Sequence, residues 1–257
     1  MVLPRKSMGQ HWLTDDKTLR TICASAQLEP EDTVLEIGPG QGSLTRHLLK
    51  SAKKVVAVEL DESLAGALPG AVKAENLEVV NQDILRFDFT KLPVGYKVVA
   101  NIPYYLTSHL LRRLIESPNP PAAMTLLVQK EVAERICAKP GQMSILAVSV
   151  QLYYRCDLGQ IVSARLFTPP PKVDSQIVIL KRRRAALFPG LNTTKFFQIV
   201  KAGFAERRKK LRSSLAGGLH LSKGQADELL NEAVIGGGLR AQDLNLQDWH
   251  KIYKLLD

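Results

Sequence analysis

Residues 32–68 read DTVLEIGPGQGSLTRHLLKSAKKVVAVELDESLAGAL, and their order decides the fold. Two short apolar runs, DTVLEIG and KKVVAVEL, each lead into a stretch of helical period, GSLTRHLLKSA and DESLAGAL. Near-continuous apolar runs suit strands buried on both faces, and helical crossovers between them dictate a parallel sheet. The alternation continues downstream with LEVVNQD, with YKVVANI before LTSHLLRRLIE, and with AAMTLLVQ before KEVAERICA. The expected fold is therefore α/β, a doubly wound, mostly parallel sheet. PNPP at 118–121 and KPGQ at 139–142 are expected loops.

After the strand-like QIVILK at 176–181 the pattern changes. RRR at 182–184 and the turn FPG at 188–190 precede TTKFFQIVKAGFAERRKKLRSSL, LSKGQADELLNEA and LQDWHKIYKLL, all of helical period. This places a boundary near Arg184, with a sheet domain over 1–184 and a small helical domain over 185–257.

The formal net charge is +10 and the pI about 9.6, which favours a polyanionic partner. The excess is uneven: residues 182–257 hold 14 Lys and Arg against 7 Asp and Glu, while residues 1–181 hold 21 against 18. Cys23, Cys137 and Cys156 are odd in number and widely spaced, with no zinc-type cluster, which fits a reducing cytoplasm. The start, MVLPRKSMGQHW, has no apolar core of a signal peptide, and no run approaches a membrane span. The expectation is a soluble cytoplasmic protein without membrane contact, and a monomer by default.

Candidate chemistry gathers where the strands end. Gly38, Gly40 and Gly42 follow the first strand as G-x-G-x-G, which lets a ligand approach the main chain but misses the spacing of a dinucleotide fingerprint. Glu59 closes the second strand, 21 residues beyond Gly38, where an acid can accept both hydroxyls of a ribose. Asp83 follows the third strand and suits an adenine amino group. Either carboxylate would also serve as a helix cap or a solvated acid. Together they point to a nucleoside-containing cofactor bound at the rim of the sheet.

The fourth strand ends on that same rim in NIPYY, residues 101–105. Asn-x-Pro is a common turn, so the motif alone decides little. If the cofactor is a methyl sulfonium, however, a target amine must meet the methyl group in line with the leaving sulfur. The adenine amine is a poor nucleophile because its lone pair is delocalised into the ring. Acceptors aimed at its two N–H bonds, the Asn101 side-chain oxygen and the Ile102 carbonyl, would favour a tetrahedral nitrogen without any titrating base. Tyr104 would stack on an extruded base.

GQHWL (9–13), EIGPGQGSLT (36–45), VVAVELD (55–61), QDIL (82–85), NIPYYLTS (101–108), LLVQKEVAERI (126–136), FTPPPKVDS (167–175) and FAERRKKLR (204–212) occur in this order through most of the chain. The set resembles the bacterial small-subunit ribosomal RNA adenine dimethyltransferases. The resemblance implies S-adenosylmethionine as donor, a Rossmann-like methyltransferase sheet, and N6,N6-dimethylation of two adjacent adenines in the 3′-terminal hairpin loop of 16S ribosomal RNA. It further implies an immature 30S-type particle as the partner. By position it puts His11 and Leu13 in a segment closing over the cofactor and Gly38 against the cofactor's amino-acid part. Glu59 then falls at the ribose, Asp83 at the adenine and Asn101 at the junction with the target amine. Phe167 matches an aromatic on the other face of the target base, though a core phenylalanine before a proline turn reads the same way. Trp12 and Ile102 stand where the family pattern expects Phe and Leu.

The run ERRKKLR supplies Arg207, Arg208, Lys210 and Arg212 as RNA-backbone contacts, read here as part of one helix whose basic residues cannot all share a face. A large-subunit RNA dimethylase shares the rim and the NIPY element but fits VQKEVAERI and FTPPPKVDS less well. A non-catalytic RNA-assembly factor would not need Glu59, Asp83 and Asn101. A nicotinamide dehydrogenase fails at the glycine spacing, and a glutamine methyltransferase leaves the basic tail unused.

Overall fold

A computed structural model describes residues 10–206 and 208–257. The chain divides into two compact units, one of the described residues up to Glu134 with Tyr154–Arg182, the other of Arg135–Tyr153 with Arg183–Asp257. The expected boundary near Arg184 thus lies beside one crossing point, but residues 135–153 group with the second unit. The reason is apolar burial. The helix Ile145–Tyr153 is apolar nearly all round, and Ala147, Val148 and Leu152 are buried in one cluster with Phe196 and Val200.

The strands of the first unit are β1 (Trp12–Leu13), β2 (Thr33–Ile37), β3 (Lys54–Glu59), β4 (Leu77–Asn81), β5 (Lys97–Asn101), β6 (Ala123–Gln129), β7 (Tyr154–Val162), β8 (Phe167–Thr168) and β9 (Ser175–Arg182). Seven form one sheet in the order β4-β3-β2-β5-β6-β9-β7, and β1 pairs with β8 separately. The first five are parallel, as their buried apolar runs require, while β9 and β7 add antiparallel to the edge. β7 has no sequence signature: an edge strand is wetted, and Arg155, Asp157, Leu158 and Ile161 are exposed beside a bulge.

Helices α1 (Asp16–Ser25), α2 (Thr45–Leu48), α3 (Glu62–Val72) and α4 (Thr107–Ile115) join these strands, and the division between units falls inside α5 (Lys130–Ile136). Asp15 caps α1, accepting from Thr18 N, and Asp61 caps α3, accepting from Ser63 N and Leu64 N.

The second unit is helical: α6 (Ile145–Tyr153), α7 (Thr193–Phe204), α8 (Leu211–Gly218), α9 (Lys223–Glu232) and α10 (Leu246–Leu256). Trp249 is fully buried and packs so closely on Gly203 that a Cβ there would overlap the indole. The single helix expected across 193–215 is a correction: it breaks between Phe204 and Leu211. Lys209 N turns back to Glu206 O, and Leu211, fully buried, gives its N–H to Leu239 O instead of to a continuing helical ladder. Among the described residues no helix is long and apolar enough to cross a membrane, and no group of three or more His, Cys, Asp or Glu side chains could hold a metal.

Candidate active site

From β2 the chain runs out through β3 and β4 on one side, then returns to β5 and β6 on the other. Strands β2 and β5 are neighbours, so the order reverses between them and a crevice opens outside their carboxyl ends, where open α/β sheets bind ligands. The cavity there is lined by Gly38, Gly40, Glu59, Asp83, Asn101 and Tyr104. Glu36, Trp12 and Tyr105 also face it.

The glycine turn is tight because all three glycines take positive φ. Gly42 has φ +79°, which strains any other residue, and a Cβ there would lie 2.7 Å from Leu68 Cδ1 and have to displace it. Glu59 holds the turn in place: its Oε2 accepts from Gly40 N at 3.1 Å and its Oε1 from Asp61 N at 2.9 Å. Each carboxylate oxygen has two lone pairs, so one acceptor site per oxygen remains for a ligand. Asp83 Oδ1 caps a short turn through Leu85 N at 2.9 Å, which leaves Oδ2 for the cavity. The capping and binding readings of Asp83 are therefore compatible.

Asn101 ends β5, and Ile102 N bonds to Leu127 O at 3.2 Å, fixing the turn that follows. The Asn101 Nδ2 donates to His11 O at 3.2 Å. A carbonyl can only accept, so this bond sets which end of the amide is nitrogen. The Asn101 Oδ1 accepts nothing among the described residues. His11 is tied in turn, its Nδ1 donating to Pro169 O at 2.7 Å, while Leu13 pairs with Phe167 across β1 and β8. Residues 10–13 thus form a strap along the cavity wall, and His11 contributes through its backbone.

Tyr104 is clamped: its hydroxyl meets Ser175 Oγ at 2.8 Å and its ring lies 5.8 Å from the His11 ring. Burial pushes its phenol up, so it stays neutral. Phe167 is a different matter. It is 3% exposed, packed in the core with Leu13 and Ile177, and is not part of the cavity wall. Of the two readings left open by sequence the structure supports the core one, because β1–β8 pairing turns that ring inward. Tyr105, 62% exposed at the cavity edge, is the aromatic that sequence reasoning passed over.

Of the basic run, Arg208 and Lys210 are exposed, and Lys210 precedes α8 without a capping bond from its side chain. Arg212 is engaged, its Nη1 lying 3.1 Å from Asp227 Oδ2. Arg207 lies outside the described residues.

Comparison with known proteins decides the family. The model of the ribosomal RNA adenine dimethylase family matches residues 2–257. A protein of Dehalococcoides mccartyi strain CBDB1 named ribosomal RNA small subunit methyltransferase A is 43% identical over 252 residues, covering 96% of this chain and 87% of that one. The chain belongs to the ribosomal RNA adenine dimethylase family. Among solved structures, the 23S rRNA methyltransferase ErmE is 32% identical with a TM-score of 0.80, covering 96% of this chain and 99% of that one. A dimethyladenosine transferase of Plasmodium falciparum gives 27% and 0.81, covering 94% and 96%.

As a ribosomal RNA adenine dimethylase the chain is an S-adenosylmethionine-dependent enzyme. The cavity fits that donor. Its wall carries Glu59 and Asp83 and, among the described residues, no lysine or arginine, which suits a cationic sulfonium. The acceptors on Glu59 and Asp83 suit ribose hydroxyls and an adenine amine.

Glu36 was not singled out from sequence, since one acid inside an apolar strand reads as a strand residue. It is 1% exposed. Burial, with Glu59 nearby adding in the same direction, pushes its carboxyl up to about 8. Thr45 opposes the shift, yet neither Glu36 Oε2 nor Thr45 Oγ1 completes a hydrogen bond of normal geometry. The folded chain therefore keeps a proton that the unfolded chain releases near 4.5. The stability this lends is full below the unfolded value and is lost as pH rises to about 8. Glu36→Gln mimics the neutral acid, so in thermal unfolding from pH 5 to 9 it should match the unmodified chain at the acid end and exceed it increasingly toward the alkaline end. Parallel profiles would refute a buried neutral Glu36.

Proposed function

We propose that this chain dimethylates N6 of two adjacent adenines in the 3′-terminal hairpin loop of small-subunit ribosomal RNA, acting as a cytoplasmic monomer on an immature subunit. The small-subunit choice is supported by 43% identity to a relative named for that subunit against 32% to the 23S enzyme. The observation that carries the reading is the Asn101 amide, whose nitrogen is held by His11 O and whose oxygen is left to accept at the wall of a cavity lined with acids.

S-adenosylmethionine, when bound, would supply an electrophilic methyl carbon with its sulfur as leaving group. The protein's part is to aim and polarise the amine nitrogen. Asn101 Oδ1 and the Ile102 carbonyl accept its N–H bonds, so the lone pair localises on nitrogen and points at the carbon. The proton left after bond formation passes to water. Glu59 and Asp83 orient the nucleoside part, and Gly38 lets the amino-acid part lie against the main chain. Tyr104 offers one face to the extruded base, a contact worth roughly 1–3 kcal/mol. With Phe167 in the core, Tyr105 is placed to supply the second aromatic contact.

The second unit acts as the RNA handle through Arg208 and Lys210, with Arg212 contributing less because Asp227 shares its charge. Reversing both free charges, Arg208→Glu with Lys210→Glu, should lower the salt slope of RNA affinity by about 0.7–0.9 per lost phosphate contact. Titrations between 50 and 200 mM salt measure it, and an unchanged slope removes the handle. The activity itself is tested by incubating labelled S-adenosylmethionine with immature small subunits, large subunits and proteins in parallel. Label in small-subunit RNA alone is expected. Label in large-subunit RNA or in protein would overturn the substrate assignment.

A further inference from the structure

An adenine stacked in RNA is out of reach of Asn101, so the base has to leave its stack, and that costs free energy. A grip on the RNA that is equal before and after extrusion raises affinity without lowering this cost. What lowers it is a contact made only once the adenosine is out, placed beside the ring that receives the base. The cavity wall carries no lysine or arginine among the described residues, so a cation for the phosphates of that nucleotide has to come from outside the wall.

The segment 163–174, SARLFTPPPKVD, lies at that edge. Within it β8 pairs with the strap, Phe167 with Leu13 and Thr168 with Trp12, and Pro169 O accepts from His11 Nδ1 at 2.7 Å. The next residue, Ser175, is fully buried and meets the Tyr104 hydroxyl through its Oγ. All of these residues belong to the first unit. Asp174 closes the segment on itself: its Oδ1 accepts from Ala164 N at 2.9 Å, and its backbone oxygen accepts from Lys130 N at 3.0 Å. Three successive prolines, Pro169, Pro170 and Pro171, fix φ, so little conformational freedom is left to lose on binding.

Arg165 and Lys172 stand on this frame, both exposed and neither with an acid partner among the described residues. Residues 1–9 and 207, outside the described ones, contain no Asp or Glu. Two other cations tied to the same surroundings are engaged: Arg112 Nε lies 3.0 Å from Glu116 Oε1, and Lys130 Nζ 3.8 Å from Glu134 Oε1. Lys172 precedes Ser175 by three residues, at most about 11 Å of chain, and so stays within a long side chain's reach of whatever lies on Tyr104. We propose that segment 163–174 is an RNA contact of the catalytic unit, in which Arg165 and Lys172 hold backbone phosphates next to the extruded adenosine. Arg165 offers a planar fork to phosphate oxygens and Lys172 a point charge. The contact reads no sequence; it favours the extruded state, so both are positioning residues. The inference rests on the RNA reading of this site.

Single-turnover transfer from labelled S-adenosylmethionine to immature small subunits, with both saturating, tests it beside equilibrium binding of subunits and of donor. Arg165→Gln with Lys172→Gln should slow transfer about tenfold, the scale of one hydrogen bond to a charged group, while subunit affinity falls by less than about threefold. Donor affinity should not change, which separates the effect from a loosened strap. Arg165→Lys with Lys172→Arg should keep the rate within about threefold, because a phosphate contact needs the charge. Both positions are exposed, so unfolding temperatures should match that of the unmodified chain. An unchanged rate in the glutamine pair, or an equal loss in the charge-keeping pair, would overturn the proposal. So would a loss of subunit affinity with the rate intact, since the contact would then hold the RNA equally in both states. No label in small-subunit RNA from the unmodified chain would instead defeat the substrate assignment.

Discussion

Asn101→Ala is expected to lower kcat for methyl transfer by roughly 10²–10³-fold, the usual effect of removing one preorganised hydrogen-bonding group from a reacting centre. The substitution removes the oxygen that accepts from the target amine and also the donor to His11 O. The second loss is one neutral bond, on the order of 1 kcal/mol, so donor affinity should weaken by no more than about tenfold. Single-turnover transfer at saturating donor separates the two effects, because affinity no longer matters there. Asn101→Asp adds resolution: it keeps an acceptor toward the amine but sets an anion against the His11 carbonyl, so the strap should loosen and donor affinity should fall further than for alanine. A rate within about fivefold of the unmodified chain for Asn101→Ala would remove Asn101 from the chemistry.

Glu59→Gln should act on the opposite side of the balance. Its oxygens hold Gly40 N and Asp61 N and leave two acceptor sites facing the cavity. Glutamine keeps the size but turns one acceptor into a donor and removes the charge. Hydrogen bonds to charged groups are worth about 1.5–3 kcal/mol each, so loss of one to a ribose hydroxyl should weaken donor binding by roughly 10- to 100-fold. Rates at saturating donor should change far less, since the ribose does not react. Calorimetry with the donor and with adenosine measures this. A loss below threefold, or a loss confined to kcat, would show that Glu59 serves only to fix the glycine turn.

Much of this site was legible because strand ends and glycine turns leave local marks. Buried parallel strands read as unbroken apolar runs; β3 and β5 each end in a residue whose polarity is out of keeping with the run before it, and β2 runs straight into the glycine turn. Gly38, Glu59, Asp83 and Asn101 were therefore found one by one, and the parallel order brings them to one rim. What escaped depends on tertiary surroundings. β7 is wetted at a sheet edge and lost its alternation to a bulge. The break between α7 and α8 has no proline and no glycine in its basic run; it exists because Leu211 is drawn into a core and bonded to Leu239. Residues 135–153 join the second unit through α6, whose burial no local rule could assign. Glu36 has a raised carboxyl only because of the apolar shell that surrounds it.

The central claim is geometric: the carboxamide of Asn101 presents its oxygen, not its nitrogen, to the reacting amine beside the donor's methyl group. A crystal structure of the chain with a bound S-adenosylmethionine analogue tests it most directly. The account predicts Nδ2 still on His11 O, Oδ1 turned toward the donor's methyl side, and space beside it for a planar base. An amide rotated so that Oδ1 points away from that carbon, or a donor seated elsewhere than against Glu59 and Asp83, would contradict it.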